Sequence, residues 1–303
     1  MADFVSAPLP GGVVGVGHSG QAMTTVASNP AASLPIGIFD SGLGGLSILK
    51  EIERELPRER LVYFADNLHL PYGSKSLAEV WEFCAAIAGR LIEYPVKAVV
   101  VACNTASAAS LKRLRQVFPV TPFIGMEPAV KPAAAATRSR KVGVLATQST
   151  FQGELFESVV ERFASDMEVL RQPCPGLAEF IERHSTDHPG LKPRLEKFIQ
   201  PLLERGVDNL VLACTHYSLV REVIQEVAGQ GVAVIDPSPA IASRARQVLA
   251  ESGLLAGSDG RGGGVFYASG DAEAFSHAAS LILGRGITAR KEPERWIPVD
   301  DPS

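Results

Sequence analysis

Nowhere does this 303-residue chain approach the run of about 18 apolar residues that a membrane-spanning helix needs, so no membrane span is expected. Excess basic charge is missing as well. The formal net charge is −4, which argues against nucleic acid or an anionic membrane surface as the main partner. Cysteine is scarce: Cys84, Cys103, Cys174 and Cys214 are widely spaced along the chain. Such spacing is no disulfide framework and reads as free thiols in a reducing compartment. Residues 1–34 are rich in Gly, Ala, Ser, Pro and Val but hold no Lys or Arg. A secretory signal needs a basic start and an organelle transit peptide needs arginines, so this segment is expected to be a flexible extension on a cytoplasmic protein. No metal site is expected either. His184 and His188 stand four apart, but Pro189 follows at once and no third ligand is in view, while His69 and His277 are isolated.

What is present is an alternation. From Leu34 onward, short β-like runs at 35–39, 60–66, 97–103, 120–126, 140–147, 167–172, 208–214, 232–237 and 265–269 are separated by stretches with helical spacing. Near-continuous apolar runs mark strands buried on both faces, which means parallel sheets between helices. The class is α/β, doubly wound, and the length suffices for two domains. In such folds ligands bind beyond the carboxyl ends of the strands. The polar residues there are Asp40-Ser41, Asp66-Asn67, Cys103-Asn104-Thr105, Thr147, Cys214-Thr215-His216 and Asp236.

Two of these contexts nearly repeat: KAVVVACNTAS at 97–107 and DNLVLACTHYS at 208–218. Cys103 and Cys214 lie 111 positions apart, about the length of one α/β domain, which suggests two related domains, each presenting a thiol at a strand end. A helix N-terminus or a nearby cation favours the thiolate, and Asn104, Thr105 and Thr215 are placed to cap the helices that should follow. Alone, each cysteine has a plainer reading as inert core. The matched pair favours an acid on one face of a carbon and a base on the other, of which racemisation is the simplest case. His216 is close enough to Cys214 to share a site, or it caps its helix; Asp40 serves Cys103 in the same way, or caps the next helix. The loop DSGLGG (40–45) matches neither common phosphate-binding glycine pattern, and its glycines read as a tight turn with close backbone approach to a ligand. Cys84 and Cys174 read as structural, and the glycine-rich stretch 253–264 is left without a role.

Together, IGIFDSGLGGLSIL, DNLHLPYGSKS, VVACNTASA and LACTHYSL resemble the glutamate racemase family of the cofactor-independent aspartate/glutamate racemase superfamily, from about Ile36 to Ser280. The resemblance implies two pseudo-symmetric domains with mainly parallel sheets and the active site in the cleft between them. One would hold 35–127 plus 236–285, the other 128–235, with 1–34 an extension and 286–303 a polar tail. It implies that Cys103 and Cys214 are the acid/base pair, assisted by Asp40 and His216, with Cys103 serving the D-enantiomer and Cys214 the L-enantiomer. Substrate contacts carry over to Asp40, Ser41, Tyr72, Gly73, Asn104, Thr105, Thr215 and His216, with Thr150 and Glu182 as weaker matches, Glu182 orienting His216. No cofactor or metal is implied. Glutamate is the expected small-molecule partner, a homodimer the expected assembly, and D-glutamate for peptidoglycan precursors the expected product. Members commonly carry Pro after Cys-Thr-His-Tyr; Ser218 stands there in this chain and should alter a helix start rather than the chemistry.

Other readings remain. A relative acting on aspartate, a hydantoin or a malonate is one, though its decarboxylase branch generally keeps a single catalytic cysteine. A non-catalytic amino-acid-binding module on the same fold is another. A Cys-His amidohydrolase would need only one nucleophile, and this chain offers two matched thiols.

Overall fold

The structure, a computed structural model, describes residues 29–291 apart from 185. Residues 1–28 of the expected extension and 292–303 of the expected tail lie outside the described residues. Two sheets organise the rest. The first contains β1 (Ile36–Asp40), β2 (Leu61–Ala65), β3 (Ala98–Val101), β4 (Phe123–Gly125), and, after the chain returns, β9 (Gly264–Ala268) and β10 (Ala289–Lys291). Between them the chain forms β5 (Lys141–Ala146), β6 (Glu168–Pro173), β7 (Asn209–Ala213) and β8 (Ala233–Ile235) of the second sheet. All pairings are parallel, with β1 set between β2 and β3 so that Ile36 faces Leu61 on one side and Ala98 on the other.

The strand orders reveal the internal relationship. The second sheet runs β6-β5-β7-β8, and the first runs β10-β9-β2-β1-β3-β4. Its last four strands thus repeat the same arrangement: second, first, third, fourth. In each half the third strand, β3 or β7, leads into an Ala-Cys pair.

Helices cover both faces of each sheet, because every central strand is apolar on both sides. Around the first sheet lie α1 (Leu46–Glu55), α2 (Leu77–Glu93) and α3 (Asn104–Val117). The second is surrounded by α4 (Val130–Ala136), α5 (Gln148–Gln152), α6 (Glu154–Phe163), α7 (Leu177–Arg183), α8 (Leu191–Glu204), α9 (Thr215–Leu219) and α10 (Arg221–Ala228). The chain then returns through α11 (Ser238–Glu251) and α12 (Ala272–Leu283), and α11 packs on α1. Each sheet thus has two apolar cores. Ile38, Leu49 and Leu249 belong to one face of the first sheet, and Phe39, Val99 and Leu91 to the other. Leu212 and Leu195 lie in one core of the second sheet, Val144 and Phe156 in the other.

Local structure also forms in the two flanking segments. The tail expected from 286 begins with an ordered edge strand, β10, paired with β9. At the other end, Pro30–Ser33 of the expected flexible extension forms a 3-10 turn. It is tied down where Lys97 Nζ donates to Ala32 O (2.7 Å) and Asn29 Nδ2 donates to Gly253 O (3.3 Å). Lys97 is also ion-paired with Glu59 in the interior. A buried ammonium needs such partners to offset its desolvation, and the turn supplies one of them. Among the described residues, no helix is long and apolar enough to cross a membrane.

Candidate active site

Both thiols sit where a strand gives way to a helix. Cys103 follows β3 and is itself the N-cap of α3: its Sγ accepts from Ala106 N (3.4 Å), and Ser41 Oγ lies 3.7 Å from it. Asn104 and Thr105, expected as caps, are instead the first two helical residues. Cys214 follows β7 and precedes α9, and Thr215, the other expected cap, donates its hydroxyl to Asp40 Oδ2 (3.1 Å) in the opposite half. Asp40 ends β1 and accepts from Gly42 N (2.8 Å), forming a turn rather than capping α1, whose N-cap is Gly45.

The two cysteines line one cavity of about 160 Å³. Of the residues expected from the sequence, Ser41, Tyr72, Gly73, Asn104, Thr105, Thr215 and His216 line it with them. Asp40, Thr150 and Glu182 do not; each stands one layer back, bonded to a residue that does. Asp40 accepts from Thr215, Thr150 Oγ1 is 3.3 Å from Thr105 Oγ1, and Glu182 Oε2 is 2.6 Å from His216 Nε2. All three thus stand directly behind lining residues.

Ten lining residues were not among the expected site, five of them with polar or ionisable side chains: Ser74, Thr147, Gln148, Cys174 and Glu179. Thr147 carried a signal, since it is the polar residue directly after β5, and its Oγ1 lies 2.9 Å from both Thr105 Oγ1 and Thr150 Oγ1. Cys174 was expected to be structural. Its thiol does donate to Gln172 O (3.4 Å), and burial pushes it up to about 12, but it also forms part of the cavity wall. Tyr72 lines the cavity with its hydroxyl committed elsewhere, donating to Asp66 Oδ2 (2.5 Å).

The glycines of the DSGLGG loop are explained by protein rather than by ligand. A Cβ on Gly44 would lie 2.4 Å from Thr215 Oγ1, 2.6 Å from His216 Nδ1 and 2.8 Å from His216 N. One on Gly42 would lie 2.5 Å from Glu182 Oε1. The loop of the first half therefore presses directly on α9 of the second. Leu43 N adds a bond to Glu182 Oε2 (2.9 Å).

Electrostatically the two thiols differ. Burial pushes Cys103 far above its ordinary value, and the charge of Asp40 pushes in the same direction. Asp40 is itself raised by burial, partly offset by His216. Beside Cys214 stands His216. Burial works against its charge, yet interactions with Cys214 and Glu182 hold the imidazole well above its usual range. No Lys or Arg lines the cavity among the described residues. Apart from His216, an anion there must be held by neutral donors, and Asn104 is suited to that: it is buried, and neither Oδ1 nor Nδ2 has a hydrogen-bond partner among the described residues. The N–H groups opening the 14-residue helix α3 lie at the same wall.

Such an arrangement brings both cysteines to one small cavity, with hydrogen-bond donors on its wall. A family model described as Asp/Glu/Hydantoin racemase matches residues 36–245. The glutamate racemase of Stutzerimonas stutzeri is 45% identical over 86% of this chain and 97% of its own. Among solved structures, a glutamate racemase of Bacillus anthracis superimposes with a TM-score of 0.78 at 33% identity, covering 86% of this chain and 98% of that one. The Escherichia coli glutamate racemase, solved in complex with L-glutamate and the activator UDP-MurNAc-Ala, gives 0.74 at 32% identity, covering 85% and 97%.

Proposed function

The chain belongs to the Asp/Glu/Hydantoin racemase family, and on that premise we propose that it interconverts L- and D-glutamate by direct proton transfer between two cysteines. The observation that carries the reading is the pair of thiols, each ending the third strand of its sheet and both lining the same cavity. The thiolate of one removes the α-proton while the thiol of the other delivers a proton to the opposite face; exchanging the roles runs the reaction backwards. By the family resemblance, Cys103 serves D-glutamate and Cys214 serves L-glutamate.

His216 and Glu182 support Cys214. The imidazole beside the sulfur, held charged by Cys214 and Glu182 against its burial, can pass a proton to it and take one back. Asp40 supports the Cys103 side, fixing the loop that carries Ser41 and, through Thr215, the approach of α9. A positioned acid or base typically contributes about 10²–10⁴-fold, so the pair alone does not account for removal of so weakly acidic a proton. The remainder falls to preorganised donors at the carboxylate where negative charge develops, and Asn104, Thr105, Thr215 and the N–H groups after each cysteine are the candidates. Ser41, Tyr72 and Gly73 complete the substrate contacts, and Thr150 acts behind Thr105.

We assign residues 35–127 and 236–285 to one domain and 128–235 to the other, following the exchange of sheets after Gly125 and after Ile235. Four free cysteines suit a cytoplasmic enzyme, whose product would enter peptidoglycan precursors. A homodimer is the expected assembly, to be checked by light scattering.

Proton NMR of the protein with L-glutamate in D₂O, beside a chiral assay, tests the reaction. Loss of the α-proton signal with formation of D-glutamate is expected, and Cys103→Ser and Cys214→Ser should each abolish inversion while leaving exchange on one face. Full racemisation by either variant would overturn the two-thiol mechanism.

A further inference from the structure

A second feature of the interface lies on the wall of a larger cavity, about 930 Å³, which neither Cys103 nor Cys214 lines. Asp236 immediately follows β8, where the chain leaves the second sheet to return to the first. Its Oδ1 accepts from Ser218 Oγ (2.9 Å), from Ser238 N (2.9 Å) and from Ser238 Oγ (2.7 Å). Ser218 belongs to α9, the helix that begins with Thr215 and His216. Ser238 opens α11, and its hydroxyl lies 3.5 Å from that of Ser47 in the first turn of α1. Ser47 in turn donates to Gly44 O (2.9 Å), in the loop that presses on His216. The bonds to Asp236 tie the helix that follows one thiol to the crossover, and the contact of the two serine hydroxyls, whose protons are given to Asp236 and to Gly44 O, carries the connection on to the loop bearing Asp40 and Ser41.

We propose that Asp236 is a positioning residue that, through Ser218 on one side and Ser238 with Ser47 on the other, sets how α9 lies against the DSGLGG loop and so the alignment of the two sulfurs across the substrate. The proposal rests on the two-cysteine reading above. None of these four residues lines the thiol cavity, so their effect falls on turnover rather than on binding. A misaligned pair has a specific signature. One sulfur still removes the α-proton and exchanges it with solvent, but the opposite sulfur fails to deliver, so exchange with retention grows relative to inversion.

The test is kcat, KM and the ratio of α-deuterium exchange to inversion for each enantiomer, in Ser218→Ala, Ser218→Thr, Asp236→Asn and Asp236→Ala. Ser218→Ala is expected to lower kcat about 3- to 10-fold, the effect of one hydrogen bond, with KM within about twofold and a raised exchange-to-inversion ratio. Ser218→Thr, which keeps the hydroxyl, should restore both. Asp236→Ala should exceed Ser218→Ala in both respects, with Asp236→Asn, which keeps one acceptor oxygen, falling between wild type and Asp236→Ala. Circular dichroism and thermal unfolding establish that each variant is folded, and Ser218→Ala, a half-buried helical site, keeps the test open if Asp236→Ala does not fold. An unchanged exchange-to-inversion ratio in folded Ser218→Ala and Asp236→Ala, or an effect on KM alone, overturns the proposal. Failure of the wild type to exchange or invert glutamate would instead overturn the reading on which it rests.

Discussion

Cys103 and Cys214 occupy equivalent places in their sheets, but only Cys214 has a cation at its side, His216, held by Glu182. Cys103 has the buried Asp40 nearby and is held protonated by burial and by that charge. A haloacetamide at neutral pH is therefore expected to label Cys214 first, as read by peptide mass spectrometry against time. Labelling of Cys103 first would show that the ion pair does not set the reactivity. The same pairing gives a pH signature. His216 is raised in the folded protein, so its stabilising contribution is complete below the ordinary imidazole value of 6.5 and is lost as pH rises through the higher folded value. In Glu182→Gln the imidazole loses its carboxylate partner and discharges at lower pH. Wild type should thus melt above the variant at pH 6.5 by a margin that shrinks toward alkaline pH, and the alkaline limb of the variant's activity should move to lower pH. A melting difference that grows with pH would contradict this sign.

The contact between the DSGLGG loop and α9 makes its glycines testable against a glycine that packs on nothing. In Gly44→Ala the new methyl meets Thr215 and the backbone nitrogen of His216, which have no room to retreat. A loss of about 1–3 kcal/mol in urea unfolding is expected, with most of the activity lost, since overpacking displaces the helix that follows Cys214. Gly89 lies inside α2, and a Cβ there would meet nothing within 4 Å, so Gly89→Ala should gain about 0.5–1 kcal/mol and leave kcat unchanged. These contrasts also mark where the sequence is readable. Among the described residues, nine of the ten strands are visible in it, the central ones because strands covered by helices on both faces must be almost wholly apolar. The short strand β10 is hidden because only Ala289, Arg290 and Lys291 form it, at a sheet edge where charged side chains are tolerated. The paired thiols are visible because equivalent strands carry equivalent sequence. Capping of α3 by the sulfur of Cys103 is not, since cysteine is not a residue that capping preference selects. Glu179 and Cys174 reach the cavity through the placement of α7 and the turn before it, which no local pattern encodes.

The shared strand order has a consequence for the molecule as one unit. Each half supplies one of the two matched cysteines and one set of donors, so neither half alone holds both. The halves meet through Thr215 with Asp40, Leu43 N with Glu182, Thr105 with Thr147, and Ser149 Oγ with Gly73 O (2.9 Å) and Lys75 O (2.8 Å). A ligand seated among these bonds stabilises both halves together and adds about 2.7 kcal/mol at a concentration 100 times its Kd. The two-base arrangement makes a stronger demand. A site that inverts a centre must hold both enantiomers, with the α-hydrogen toward Cys103 in one and toward Cys214 in the other, while the carboxylates keep the same donors. In Cys103→Ser, which cannot complete the inversion, each enantiomer stays as added, so the two are measured separately. Both L- and D-glutamate are expected to raise the melting temperature of this variant in a single cooperative transition, with Kd values within about tenfold of each other, or about 1.4 kcal/mol. A shift with one enantiomer only would mean that the cavity is built for one hand and that the opposed sulfurs do not act as a pair.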